Sequence, residues 1–396
     1  MVPDIRKKYN SIFTEEKYKT FLTDMNAEFN YPIPFRVAES PVFIPKEFKN
    51  KILEACDEII AFLTRDDFKK ISEKAIPPHL NVPNENDHTL FLAIDFGVCK
   101  DDNGEINPQL IELQGFPSLF GWQHYLAGKY RQHFYAPDNY DHLFSDLNEE
   151  SYVKLLKKNI LGHHEAQYVI LLEIEPKKQN TRIDFLITEQ MLGVKAVCIS
   201  DIIKEDNKLF YVNNGKIIPV HRIYNRVIFD ELLKRTDLKL NFNMTDDVTV
   251  EWAGHPNWFY RISKYLMPLL KSKYIPESYF LNELKTIPAD LENYVLKPLF
   301  SFSGSGIKFH VTKKDLDEIK DPENFMLQKK VKYEPVLHSP NEPVKVEVRM
   351  LYIWEPKTPK PQLIINMARL SKGEMIGVKY NLNKNWVGGS VGFYEK

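Results

Sequence analysis

Val295-Leu296-Lys297-Pro298-Leu299-Phe300-Ser301-Phe302-Ser303-Gly304-Ser305-Gly306-Ile307 is the stretch on which the reading of this 396-residue chain turns. An apolar strand leads through a lysine into a loop of small residues. Serine and glycine let backbone N–H groups approach phosphate oxygens closely, and the lysine supplies positive charge. No Gly-Lys-Ser/Thr follows and no helix pattern opens there, so it is not a Walker A loop. Taken alone, the stretch also reads as an ordinary hairpin turn. Its glycines belong to a wider pattern. The chain holds 16 glycines, well under the roughly 7% of an average protein. Seven of them (Gly304, Gly306, Gly373, Gly377, Gly388, Gly389, Gly392) fall in the last hundred residues. Clustered glycine in a glycine-poor chain marks a place that needs unusual backbone.

Charge excludes one large class of function. With 53 Lys+Arg against 54 Asp+Glu the net charge is −1, so a general binder of nucleic-acid backbones is not expected. Hydrophobic residues at 43% supply enough apolar surface for sizeable cores. No stretch approaches the ~18 apolar residues of a membrane span, and Met1 to Lys8 carries no apolar signal core. Cys56, Cys99 and Cys198 are far apart and show no CxxC spacing, so neither a disulfide framework nor a structural zinc site is expected. The expectation is a cytoplasmic α/β (α+β) protein.

Periodicity divides the chain. Residues 1–89 read as a helical N-terminal region. Phe48, Ile52, Leu53, Ile59, Ile60, Phe62 and Leu63 stand near helical spacing between Glu47 and Arg65. Residues 90–165 open with a hairpin: Leu90 to Val98, a polar turn containing Asn103-Gly104, and a return over Gln109 to Leu113. A helical segment with Trp122, His124 and Tyr125 follows. Residues 166–257 alternate strand and helix as a small open sheet with helix cover: Tyr168–Ile174, a helix over Arg182–Leu192 stopped by Gly193, and Lys195–Ile199. A hairpin around Asn213-Asn214-Gly215 lies in the same region. Residues 258–396 begin with a helix from Trp258 to about Lys273. They continue with strands at Asn293–Leu296, Ile307–Val311, Phe325–Leu327, Val344–Ile353 and Gln362–Met367.

Several constellations could carry chemistry. Asp95 lies on one arm of the hairpin, with Glu112 and Gln114 on the other. Two residues apart, Glu112 and Gln114 share a face, and a short turn brings Asp95 near them. Two carboxylates and an amide oxygen suit Mg²⁺ completed by nucleotide phosphates. Phe91, Leu92, Ile94, Leu110, Ile111 and Leu113 surround them, and a carboxylate in apolar surroundings needs a partner. Lys345, Glu347 and Arg349 alternate onto one face, which by itself reads as the solvent side of a strand. Arg369, Lys372, Asn381, Asn383 and Gly388-Gly389-Ser390 form a cationic, amide-rich end segment able to clamp phosphate or carboxylate, or simply to turn. Arg222 and Arg226, on the strand Val220 to Val227, could bind a carboxylate, but surface basic residues are the default reading. His163-His164 reads as a loop pair, not a ligand pair.

Taken in order, these pieces resemble the ATP-grasp superfamily, in particular its glutathionylspermidine synthetase-like branch with a circularly permuted core. Ala93-Ile94-Asp95 and Glu112-Leu113-Gln114, followed by Gly115-Phe116-Pro117-Ser118, match its Arg-Phe-Asp and Glu-x-Asn strands. Ser263-Lys264-Tyr265-Leu266-Met267-Pro268-Leu269-Leu270 matches its lysine-bearing helix. Leu296-Lys297-Pro298 with Ser301 to Ile307 matches its strand and glycine loop, and Leu327-Gln328-Lys329-Lys330 the strand entering the adenine hinge. Tyr168 to Val227 resembles the small α/β domain before the grasp, giving a pre-grasp domain over 166–257. Permutation accounts for metal residues standing almost two hundred positions before the phosphate loop. Two departures stand out: Ala93 replaces the branch's arginine and Gln114 its asparagine.

The resemblance implies ATP and Mg²⁺ as cofactors. Asp95, Glu112 and Gln114 would hold the metal. Lys264 and Lys297 would neutralise the phosphates under Ser301, Ser303, Gly304, Ser305 and Gly306. Gln328 and Lys329 would present the adenine hinge. Arg349, Arg369 and Lys297 would serve the reacting phosphoryl group. The implied activity is a carboxylate–amine (C–N) ligase that works through an acyl-phosphate on small-molecule or peptide substrates, without nucleic-acid or membrane partners. The alternative is a non-catalytic nucleotide-binding sensor or scaffold on the same fold, because function lives in the site and not in the fold.

Overall fold

A computed structural model of the chain describes residues 1–101, 103–301, 304–374, 376–377 and 381–396. It is a mixed α/β structure of several sheets and helices. Its central antiparallel sheet joins chain segments that are far apart in sequence. The strand order is Gly388–Ser390, Gln362–Ser371, Pro343–Ile353, Phe91–Lys100, Ile106–Gln114. Phe91–Lys100 is buried along its length except at Lys100. A strand covered on both faces loses the polar alternation of a half-exposed one, and this explains its near-continuous apolar sequence. The helix Lys46–Leu63 packs on Ile106–Gln114. Its stripe of Phe48, Ile52, Ile59, Ile60 and Leu63 enters the same core as Leu92, Ile94, Val346 and Val348.

Beside this sheet stands a parallel one, with strands Glu251–Ala253, Arg222–Asn225, Val169–Glu173 and Lys195–Cys198 in that order. The expected helix Arg182–Leu192 connects two of them. Gly193 ends it at φ +77, its N–H donating to Glu189 O, because a left-handed residue lets the last carbonyls find partners. A three-stranded antiparallel sheet is built from Ser278–Phe280, Phe325–Lys329 and Tyr294–Pro298. It carries Lys297 and has its own small core of Tyr294, Leu296, Val311 and Leu327.

Three expectations about local structure fail. The helix over Trp258–Lys273 is broken into a short helix Asn257–Arg261 and a single 3₁₀ turn Lys264–Leu266. Ile262 is extended, and its carbonyl accepts the Gly115 N–H at 2.9 Å. Ser263 Oγ donates to Tyr260 O and accepts from Tyr265 N. Helical apolar spacing continues through the break, but at Ile262 and Ser263 these bonds take the place of helical ones. Ile307–Val311 forms no strand and pairs only through the bridge of Leu296 with Lys308. Arg222 and Arg226 are not surface groups. Arg226 is buried and donates to Pro117 O, while Arg222 is held by Ile160 O, Asn159 O and Glu251.

Candidate functional site

Register across the central sheet assembles the candidate site. Asp95 lies opposite Glu112 on one side and Arg349 on the other, and Glu347 lies opposite Arg369. Directly opposed residues in an antiparallel sheet point to the same face. The side chains therefore form one charged row across four strands. Arg349 grips Asp95 with two parallel bonds, Nε to Oδ1 and Nη2 to Oδ2, both 2.6 Å. Arg369 Nη2 reaches the same Oδ2 at 2.6 Å and Glu347 Oε2 at 2.9 Å. Arg349 also donates to Ser118 Oγ at 2.9 Å and to Glu112 Oε1 at 3.3 Å. Tyr333 OH closes the row on Glu347 Oε1 at 2.5 Å.

Two lysines enter from other elements. The break at Ile262–Ser263 carries Lys264 over the end of the Ile106–Gln114 strand, where its Nζ lies 3.7 Å from Glu112 Oε2 and 2.5 Å from Ser301 O. Gly115 makes this approach possible, since a Cβ there would meet Trp258 O at 2.5 Å. Lys297, at the end of the Tyr294–Pro298 strand, points its Nζ at Ile111 O, 3.4 Å away. Glu112, Gln114, Lys264, Phe259, Phe300 and Ser301 help to line a small, partly open cleft.

Only Glu112 and Lys264 of these charged groups line the cleft itself. Counted together, the buried row and the two lysines beside it set Asp95, Glu112 and Glu347 against Arg349, Arg369, Lys264 and Lys297, which leaves one positive charge in excess. Burial would raise the Glu112 carboxyl, but Lys264, Arg349, Arg369 and Lys297 outweigh it and hold the group below the usual carboxylate range. Burial, helped by the Lys264 charge, pushes the Lys297 ammonium down to about 8. Burial pushes Glu347 up, against the pull of Arg369. Arg369 is held above its ordinary value: burial opposes this, and Glu347, Asp95 and Glu112 overcome it.

The donor set bears on the metal expectation. Glu112 and Gln114 fit a hard cation: both line the cleft, and Gln114 Oε1 is buried without a hydrogen-bond partner while its Nε2 is spent on Glu112 Oε1 at 2.8 Å. Asp95 does not fit as it stands. It is 1% exposed and both oxygens accept from guanidinium groups. Apolar neighbours did announce that this carboxylate needs a partner, but the partner in the structure is a pair of arginines. Likewise Glu347 and Arg349 are buried at 4% and 7% exposure, so their alternation marks a charged interior row and not a solvent face.

The remaining expected residues divide. Ser301 lines the cleft, and its Oγ is buried without a hydrogen-bond partner. Gly304 and Gly306 adopt φ +70 and +74, and a Cβ on Gly306 would meet Pro298 at 2.8 Å. Ser305 is exposed on the same loop, and Ser303 lies outside the described residues. Gln328 and Lys329 are not brought to the cleft. Gln328 sits in the middle strand of its sheet, with Nε2 on Ser278 Oγ, and the Lys329 N–H goes to Glu277 O. Sequence reasoning gave no role to Ser118, Glu347 or Tyr333. Only the alternation of Glu347 with Arg349 could have signalled any of them. Gly97 shows what the Tyr333 position needs, because a Cβ there would meet the Tyr333 ring at 2.7 Å.

No protein-family model matches the sequence, and no curated protein matches it. Among solved structures, the chain is similar to a glutathione synthetase-like effector (GSS30) from Globodera pallida, determined in its apo form. That match has 11% sequence identity and a TM-score of 0.57, and covers 98% of this chain and 97% of the other. At this identity the likeness concerns the fold, and the fold over the whole chain resembles a glutathione synthetase-like one.

Proposed function

We propose that the chain is an ATP- and Mg²⁺-dependent carboxylate–amine ligase on a circularly permuted ATP-grasp core. The observation that carries this reading is the convergence of Glu112, Gln114 and Lys264 on one cleft, with Lys297 from a third chain region reaching the same strand at Ile111 O. The permutation is supported by the central sheet, in which strands from residues 91–114 pair with strands from residues 343–371. In this reading Lys264 and Lys297 bind phosphate oxygens and the Ser301–Gly306 loop covers them. Arg369, the more exposed of the two arginines at 33%, faces the charge that develops when the γ-phosphoryl group passes to a substrate carboxylate. Amine attack on the acyl-phosphate then releases phosphate. Charge stabilisation dominates such transfers. Glu112 and Gln114 would hold Mg²⁺, which supplies neutralisation of phosphate charge when bound.

A second reading, a nucleotide-binding module without turnover, is favoured by one observation: the guanidinium groups take up both oxygens of Asp95, so only Glu112 and Gln114 of the three expected metal donors line the cleft. One experiment separates the two. Purified protein is given ATP, Mg²⁺ and pools of carboxylates and amines, and ADP release and thermal stabilisation by ADP are both measured. The ligase reading expects ADP release that needs both substrate classes and disappears in Lys297→Met. Stabilisation without turnover selects the module. Absence of both rejects any nucleotide role for the cleft.

A further inference from the structure

The geometry points to a second, separate site: a zinc-class divalent ion held by His163, His164 and Glu251 at the edge of the parallel sheet. One donor atom from each residue can be chosen so that all lie within 4.8 Å of one another, and this is the one such group of histidine, cysteine and acidic side chains among the described residues. His164 Nε2 lies 3.3 Å and His163 Nε2 3.8 Å from the same Glu251 oxygen, Oε1. Bonds of about 2.0–2.1 Å to a tetrahedral zinc ion put neighbouring ligand atoms roughly 3.3–3.4 Å apart. The His164–Glu251 pair thus already spans such an edge, and the exposed His163 ring needs only a small shift.

A second observation points to a ligand. His164 Nε2 is buried without a well-formed hydrogen bond, its nearest acceptor being Glu251 Oε1 at 3.3 Å. A buried ring nitrogen left unpaired is costly, and a metal ion would satisfy it. The backbone also holds the donors in place. Gly162 turns the chain at φ +62 after the helix Glu149–Leu161, and the His164 N–H returns to Leu161 O at 3.2 Å. On the other side Arg222 donates to Asn159 O and Ile160 O at 2.9 Å each, and to Glu251 Oε2 at 2.5 Å. One carboxylate oxygen is thereby fixed by an outer partner and the other is turned to the histidines, the arrangement by which outer contacts orient ligands. The guanidinium charge lowers affinity for any cation. Two imidazoles with one carboxylate select zinc over the hard ions Mg²⁺ and Ca²⁺. The ion would staple the end of that helix to the edge strand Glu251–Ala253.

Metal-stripped full-length protein is titrated with Zn²⁺ against a chromophoric chelator, and Co²⁺ is added separately to read coordination from its visible spectrum. The expected result is one chelator-competitive equivalent, an intense four-coordinate Co²⁺ spectrum and a raised Tm. All three are expected to be lost in His163→Ala, with Zn²⁺ affinity falling by at least about tenfold. His163 is 77% exposed, so this variant is expected to leave the fold intact, and an unchanged Tm of the metal-free variant relative to metal-free wild type checks it. Wild-type Zn²⁺ affinity in His163→Ala, or a weak six-coordinate Co²⁺ spectrum in the parent, overturns the assignment.

Discussion

Replacing Asp95 by asparagine tests whether its carboxylate serves the arginines or a metal. Its oxygens accept three N–H bonds of 2.6 Å from two guanidinium groups at 1% exposure. Asparagine removes the charge and turns an N–H₂ toward a guanidinium donor, and the local excess rises from one positive charge to two. Breaking a buried pair from one side costs about 3–5 kcal/mol, because a buried charge is left uncompensated. Unfolding entropy is about 2.1 cal/mol/K per residue, which for 396 residues is roughly 0.8 kcal/mol/K. The expected loss in Tm is therefore about 4–6 °C, read by calorimetry on ligand-free protein at pH 7.5. Because the pair is buried, the loss persists at high salt. A cycle with Arg349→Met should show a coupling energy of at least ~1 kcal/mol, as for other contacting residues. A Tm within about 1 °C of wild type together with zero coupling would refute the reasoning, and Asp95 would return to the metal set.

Two further perturbations follow from the geometry. Gly115→Ala drives a methyl group against Trp258 O and should cost about 1–3 kcal/mol as an overpacked contact. Because it displaces the segment carrying Lys264, ADP stabilisation should weaken in the same variant; an unchanged Tm would show that the approach is not tight. His124 is held down to about 4 by burial and by the neighbouring His142. Its contribution is then fully present above the unfolded value near 6.5 and is lost as pH falls from there toward 4, since the unfolded chain binds the proton more readily. His124→Phe should flatten the acid side of the Tm–pH curve; an identical acid slope in the variant would count against this.

Much of this molecule was legible along the chain. Helical spacing marks Lys46–Leu63, Gly193 marks the stop of Arg182–Leu192, and the Glu112-Leu113-Gln114 alternation puts two oxygen donors on one face. Each is a matter of neighbours within a few positions, where periodicity and capping operate. The left-handed backbone at Gly304 and Gly306 belongs with them, because permissive backbone is a property of a short segment. What could not be read there is partnership. Asp95 meets Arg349 and Arg369 across 254 and 274 positions, and only strand register decides which residues stand opposite one another. A shift of one residue would turn every one of these side chains to the other face. The same holds for the break at Ile262, where the Gly115 N–H outcompetes the next helical turn, and for His163 and His164, which face Glu251 only because the parallel sheet sets that strand beside them. Local sequence determined the elements and the chemistry they carry. The tertiary structure decided which charges neutralise one another and which donors remain free, because burial and long-range pairing arise only when the sheets close.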